Sequence, residues 1–185
     1  MLSRLIFLDE TAVHPHMCVR YGRSPVGRRV VFYAKKRGAR YTLIAAMSVN
    51  GPVAHHLVAG GMKRADWAQF LTQKLLPSLP SGSVLLMDNL KLHKEEWVEE
   101  EVKRSGHARL FVPPYSPETN PIELMFNVLK GRMRAAAPDG LVALRQALDQ
   151  AWSCITAELA AAFFAHCGLY PPSPDPQMGQ LSITP

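Results

Sequence analysis

Ser83-Val84-Leu85-Leu86-Met87-Asp88-Asn89 decides how this chain is built. The run Ser83–Met87 has no polar alternation, so it reads as a strand covered on both faces, as in the interior of an α/β sheet. Before it, Trp67, Phe70, Leu71, Leu75 and Leu76 recur at helical spacing, and Pro77 ends that helix. After it comes an acidic amphipathic helix over about 94–104, with Trp97, Val98 and Val102 inward and Glu99 to Glu101 outward. A further short buried strand follows at 109–112. Buried strands joined through helices pair in parallel with right-handed crossovers.

Upstream the pattern is antiparallel. A short buried strand spans Arg4 to Leu8, with Asp9-Glu10 at its end, and residues 14–29 form a His-, Pro-, Gly- and Arg-rich excursion. Residues 30–33 resume a strand, 35–40 make a basic turn, and 41–49 are strongly β-prone. Asn50-Gly51 then signals a hairpin into 53–58. From Pro121 to about Phe164 the chain is mostly helical, and Tyr170–Pro185, with five prolines, reads as a mobile tail. The expected fold is α/β: a mixed sheet of three antiparallel strands followed by parallel ones, flanked by helices. One domain occupies 1–169 and the tail 170–185.

Composition narrows the setting. A chain of 185 residues with 48% hydrophobic content suits one domain with a full core. No stretch approaches the roughly 20 apolar residues of a membrane helix, and Met-Leu-Ser-Arg leads into a strand without a signal cleavage site. Cys18, Cys154 and Cys167 form no close pair, so they read as free thiols in a reducing compartment. His14, His16 and Cys18 alternate as metal ligands do, but no fourth ligand is evident, so zinc is not expected. A cytoplasmic protein with no membrane partner is the reading. Residues 1–50 hold nine Lys/Arg against two carboxylates, a net of +7, while residues 111–185 are net −2. Concentrated basicity of this kind suits a polyanion such as DNA, or else a solvated hairpin whose lysines guard a sheet edge.

Three carboxylates stand where buried segments end: Asp9 after Leu5-Ile6-Phe7-Leu8, Asp88 after Val84-Leu85-Leu86-Met87, and Glu123 opening the helix after Asn120-Pro121-Ile122. Strand ends in the middle of such a sheet lie side by side, where open α/β sheets bind ligands. The 34 residues between Asp88 and Glu123 suffice for a helix, a strand and a loop, so Glu123 can reach the same place. Each acid also has a plainer explanation: a strand end for Asp9, a turn or N-cap for Asp88-Asn89, a capping box for Asn120-Pro121-Ile122-Glu123. Converging carboxylates repel, and divalent metal is the usual remedy.

The flanks of these acids carry a family likeness. Phe7-Leu8-Asp9-Glu10, Leu86-Met87-Asp88-Asn89-Leu90-Lys91-Leu92-His93-Lys94 and, above all, Pro113-Pro114-Tyr115-Ser116-Pro117-Glu118-Thr119-Asn120-Pro121-Ile122-Glu123 resemble bacterial insertion-sequence transposases of the mariner superfamily. Tyr21-Gly22-Arg23, Leu43-Ile44-Ala45-Ala46 and His166-Cys167-Gly168 are similar to its other segments, so the likeness covers about residues 5–169. Glu118-Thr119 and Phe126 differ from the family's commoner Asp-Leu and Trp.

The resemblance implies a ribonuclease-H-like domain with an Asp-Asp-Glu triad at Asp9, Asp88 and Glu123. It also implies two Mg²⁺ or Mn²⁺ ions, cleavage at transposon ends, and joining of the freed 3′-hydroxyl to target DNA in a bacterial nucleoid. In one arrangement Asp9 bridges both ions, with Asp88 completing one site and Glu123 the other. Asn89 and His93 match the motif as supporting residues. Arg23, Arg28, Arg29, Lys35, Lys36, Arg37, Lys130 and Arg134 are candidate DNA contacts. Relatives carry a helix-turn-helix module before the catalytic domain; none precedes Asp9 here, so an upstream helix-turn-helix polypeptide is an implied partner, with a homodimer the implied assembly. A nuclease that does not join strands, and an inactive DNA- or partner-binding remnant, are the alternatives.

Overall fold

A computed structural model describes residues 2–19, 21–31, 35–36, 38–113 and 120–170. Five strands form one sheet: β1 Leu5–Val13, β2 Tyr41–Ser48, β3 Gly51–Ala59, β4 Val84–Met87 and β5 Ala108–Phe111. Their order is β3-β2-β1-β4-β5, with β1, β2 and β3 antiparallel and β4 and β5 parallel to β1. Five α-helices accompany them: α1 Arg64–Gln69, α2 Glu96–Arg104, α3 Pro121–Ala136, α4 Gly140–Ser153 and α5 Ala157–His166. This is the expected mixed α/β sheet. No described helix is long and apolar enough to cross a membrane.

Alternation along β1 sorts the core into two layers. Phe7 and Val13 point to one face and pack with Met125, Phe126, Leu129, Leu148 and Phe164 from α3, α4 and α5. Ile6 and Leu8 point to the other and pack with Trp67, Phe70, Leu71, Val98 and Val102. The inner strands β1, β2 and β4 carry apolar residues on both faces because helices cover both.

Several local expectations are corrected. β1 does not end at Leu8; it runs to Val13, because residues 7–13 pair with β2 after the parallel pairing with β4 has stopped at Phe7–Leu86. Asp9 is therefore in mid-strand, at the point where β1 loses its β4 neighbour. Val30 and Val31 are irregular rather than a strand, and Tyr33 lies outside the described residues. The hairpin turns at Val49-Asn50, with Gly51 (φ 125°) already opening β3 opposite Ser48. The first helix ends its α geometry at Gln69 and continues as a π-helical stretch over Phe70–Leu75. Glu99 does not simply face outward, since it pairs with Arg109 Nη2 of β5 at 2.7 Å. The tail at 171–185, Arg37 and the Pro114–Thr119 part of the proline motif lie outside the described residues.

Candidate active site

The site forms where β4 stops and β1 continues. Parallel register pairs Phe7 with Leu86, so two further steps along each strand bring Asp9 level with Asp88. Neighbouring strands lie about 4.8 Å apart, which makes these carboxylates close neighbours. By parity Asp9 shares the face of Phe7, toward α3, whereas Glu10 shares the face of Ile6 and Leu8, toward Trp67.

Asp9 Oδ1 accepts the Glu10 backbone N–H at 2.7 Å, and Asp9 Oδ2 lies 3.4 Å from Asn120 Nδ2, at the start of α3. Burial raises the Asp9 carboxyl from 3.8 to about 7. The Glu10 N–H opposes that shift, and the charges of Glu10, Asp88 and Glu123 add to it. Glu123 itself is exposed in the first turn of α3. The charges of Asp88 and Glu123 both bear on Asp9, whereas the ligand atoms that lie within 4.8 Å of one another belong to Glu10, Asp88 and His93. Among the described residues no Lys or Arg forms an ion pair with Asp9 or Glu123.

Asp88 and Glu10 are joined through His93, whose side chain is only 1% exposed. His93 Nδ1 donates to Asp88 Oδ1 at 2.8 Å and Nε2 donates to Glu10 Oε1 at 3.0 Å. The ring packs against Trp67 at a tilt of 47° with centroids 4.6 Å apart, and the His93 backbone carbonyl accepts from Arg109 Nη1. Burial alone would lower the His93 pKa, but the hydrogen bonds to Asp88 and Glu10 and their charges more than reverse this, lifting it from 6.5 to about 9. The imidazolium in turn holds Asp88 below the usual carboxylate range despite that group's partial burial. Glu10, Asp88 and His93 could by proximity ligate an ion. Each ring nitrogen, however, is spent on a different carboxylate, so the proton-bearing ring already supplies the positive charge between them.

Asp88 Oδ1 also accepts the Leu90 N–H at 3.2 Å, which leaves Oδ2 as its uncommitted oxygen. Asn89, the other supporting candidate, is exposed and donates through Nδ2 to the Val112 carbonyl at 3.0 Å, tying the β4 and β5 ends together. It does not bond Asp88.

The basic candidates divide into two groups. Lys130 and Arg134 follow Glu123 along α3 at intervals of seven and four residues, on the face opposite Met125, Leu129 and Met133. Burial and the Arg134 charge lower the Lys130 pKa, opposed by Asp9 and Glu123, so Lys130 stands beside the acids. Arg23, Arg28, Arg29, Lys35 and Lys36 lie on the exposed segment between β1 and β2. That segment is anchored at the far end of α3: His16 N–H donates to the Pro138 carbonyl at 2.8 Å, and Lys35 Nζ pairs with Asp139 at 2.5 Å. Glu123 is the third of the sixteen residues of that helix, so the rest of α3 separates it from the anchor by roughly 20 Å. His16, weighed as a zinc ligand, instead spends its ring nitrogens on the Lys36 carbonyl and Asp139.

Glu10 and Asn120 are the site residues that reading the sequence passed over. Glu10 carries no signal beyond its place next to Asp9. Asn120 sits inside the proline motif but has a more obvious use as a helix cap.

Comparison with solved structures gives the same architecture. The chain aligns over 90% of its length with the pre-cleavage Mos1 transpososome (TM-score 0.70, 16% identity, 53% of that chain). It aligns equally far with the Mos1 transposase paired-end complex with left transposon end (0.75, 18%, 52%). For the catalytic domain of Mos1 mariner transposase the values are 0.65, 17% and 78%. At these identities the likeness is one of fold, and the chain spans about half the length of the transpososome chains. No curated protein matches the sequence. Residues 4–144 do match the DDE superfamily endonucleases, a span that runs from the start of β1 through α3 and takes in all three carboxylates; the chain belongs to that family.

Proposed function

We propose that this chain is the catalytic domain of a mariner-type transposase, cutting DNA at transposon ends and joining the freed 3′-hydroxyl to target DNA with two Mg²⁺ or Mn²⁺ ions. The observation that carries the reading is Asp9, half-buried with a carboxyl raised to about 7, under the charges of Asp88 and Glu123 and with no Lys or Arg among the described residues ion-paired to it. Such a cluster is neutralised by a proton, as the raised Asp9 carboxyl shows, or by a bound cation. The donors are hard carboxylate oxygens, which fit Mg²⁺ or Mn²⁺. Asp9, Asp88 and Glu123 would hold the ions, which when bound neutralise charge developing on the phosphoryl oxygens.

The chain's own residues supply the rest. His93 and the Leu90 N–H fix Asp88 through Oδ1, which leaves its Oδ2 uncommitted, and the Glu10 N–H fixes Asp9 through Oδ1, with its Oδ2 shared only with the neutral Asn120 amide. Lys130 and Arg134 would hold the DNA backbone along α3, continuing toward the basic segment with Arg23, Arg28, Arg29, Lys35 and Lys36, and Arg37 next to it. Residues 1–169 are read as the catalytic unit acting as a homodimer on bacterial DNA in the cytoplasm. Recognition of specific ends would come from a helix-turn-helix polypeptide. In support, the Mos1 structures of this fold include paired-end complexes, one of them with Mn and one with Mg.

Pre-cleaved ends incubated with target DNA and Mg²⁺ test this reading: joined products are expected. Cleavage without joining would identify a nuclease of the same fold, and metal binding with neither would identify a DNA-binding remnant.

Two further outcomes follow from the charges. Lys130→Ala and Arg134→Ala should each weaken DNA binding alike for all sequences and lower the slope of log K against log salt by about 0.9. An unchanged slope would remove that residue from the DNA track. Asp9, raised in the folded state, favours folding fully only below pH 3.8, and that contribution is lost as pH climbs through about 7. His93 adds stability that is full below pH 6.5 and lost as pH rises through about 9. Metal-free melting temperature should therefore fall between pH 5 and pH 9. Mn²⁺ should raise it more at pH 8 than at pH 5, where protons compete for Asp9. Equal metal-induced shifts at both pH values would contradict this account of Asp9.

A further inference from the structure

Asn120 is the N-cap of α3, yet its side chain makes no capping hydrogen bond. The Glu123 N–H is met by the Asn120 backbone carbonyl at 3.2 Å instead. The carboxamide, on a residue only 8% exposed, reaches across to β1, with Nδ2 3.4 Å from Asp9 Oδ2. Its Oδ1 is buried and has no hydrogen-bond partner among the described residues. Asparagine is among the best capping residues, and a buried carbonyl without a donor is costly. Helix stability therefore does not account for this conformation.

We propose that Asn120 is a positioning residue for Asp9, fixing the plane of its carboxylate and its distance from Glu123. With the Glu10 N–H on Oδ1 and Asn120 on Oδ2, each oxygen of Asp9 has one partner, and rotation about the last side-chain bond is restrained. Asn120 and Glu123 belong to the same rigid helix start, so this contact also ties strand β1 to the third carboxylate. A neutral amide suits the task. It orients the carboxylate without cancelling the charge a cation needs, whereas a lysine there would compete with the ion.

The inference rests on the proposed role of Asp9 as a metal ligand, and its test separates the two. Asn120→Ser keeps a good N-cap but is too short to reach Asp9. Calorimetric Mn²⁺ binding and metal-free melting temperature are measured for the wild type, N120S and D9A. N120S should bind Mn²⁺ about tenfold more weakly with its melting temperature unchanged or raised, in keeping with the effect of lost outer-shell partners at metal sites. Wild-type Mn²⁺ affinity in N120S, or a weakening matched by a fall in melting temperature, would overturn the positioning role. Wild-type affinity in D9A would instead overturn the assignment of Asp9 itself, and the proposal for Asn120 with it.

Discussion

Asp9→Asn is expected to abolish Mg²⁺-dependent DNA cleavage while making the metal-free protein more stable at pH 8. The substitution keeps the shape of the side chain and an acceptor for the Glu10 N–H, but removes a half-buried charge that three other carboxylates repel. A carboxyl raised from 3.8 to about 7 disfavours the ionised folded state by roughly 2–4 kcal/mol above pH 7. In a domain of this size that corresponds to a gain of roughly 5–15 °C in melting temperature. The gain should vanish near pH 4, where Asp9 is protonated in the folded state. Asp88→Ala and Glu123→Ala should also lose cleavage, by about 10³-fold or more, with the fold retained. Cleavage surviving in any of the three would take that residue out of the catalytic set. A fall in the stability of D9N at pH 8 would show that the Asp9 charge is compensated by the protein itself.

His93→Ala should have the largest effect on stability. His93 is the cation between Glu10 and Asp88, and removing one member of a buried ion-paired group costs about 3–5 kcal/mol. A drop of roughly 10 °C in melting temperature follows. The pH dependence is what separates loss of charge from loss of packing on Trp67. The ion-pair contribution is complete below pH 6.5 and disappears as pH rises through about 9, so the gap from wild type should be widest near pH 6 and much narrower at pH 10. A gap of the same size at both would mean that His93 contributes by packing alone. Asp88, freed from its imidazolium, should regain a more ordinary acidity and lose the orientation that Oδ1 now has.

The chemistry at this site and the stability of the fold pull in opposite directions. The sheet end is built from apolar residues on both faces, so Asp9 and Glu10 lack much of the solvent that would normally stabilise their charge. His93 resolves the conflict for Glu10 and Asp88 within the protein. Among the described residues no cation is bonded to Asp9, and that asymmetry leaves a place for an external one.

Much of this was legible from residue order. The unalternated run at Val84–Met87, the helical spacings on either side and the hairpin signal near Asn50 were enough for a mixed sheet with parallel later strands, because each is a local pattern. The positions of Asp88 just after β4 and of Glu123 in the first turn of α3 were equally local. What could not be read was the length of β1: strand pairing continues to Val13 because β2 is available as a partner, and that is a property of the assembled sheet.

The sequence alone therefore determined most of the element types, the order of the chemistry-bearing acids and the apolar layers that must cover them. Only the tertiary structure decided which neighbour each acid meets. Asp9 and Glu10 are adjacent in the chain yet face opposite layers, and their partners lie 111 and 83 residues away, at Asn120 and His93. A strand's alternation sends consecutive side chains to opposite sides, but which helix closes over each side is set by how the crossovers pack. That choice gives Glu10 an imidazolium as its side-chain partner and Asp9 a neutral amide.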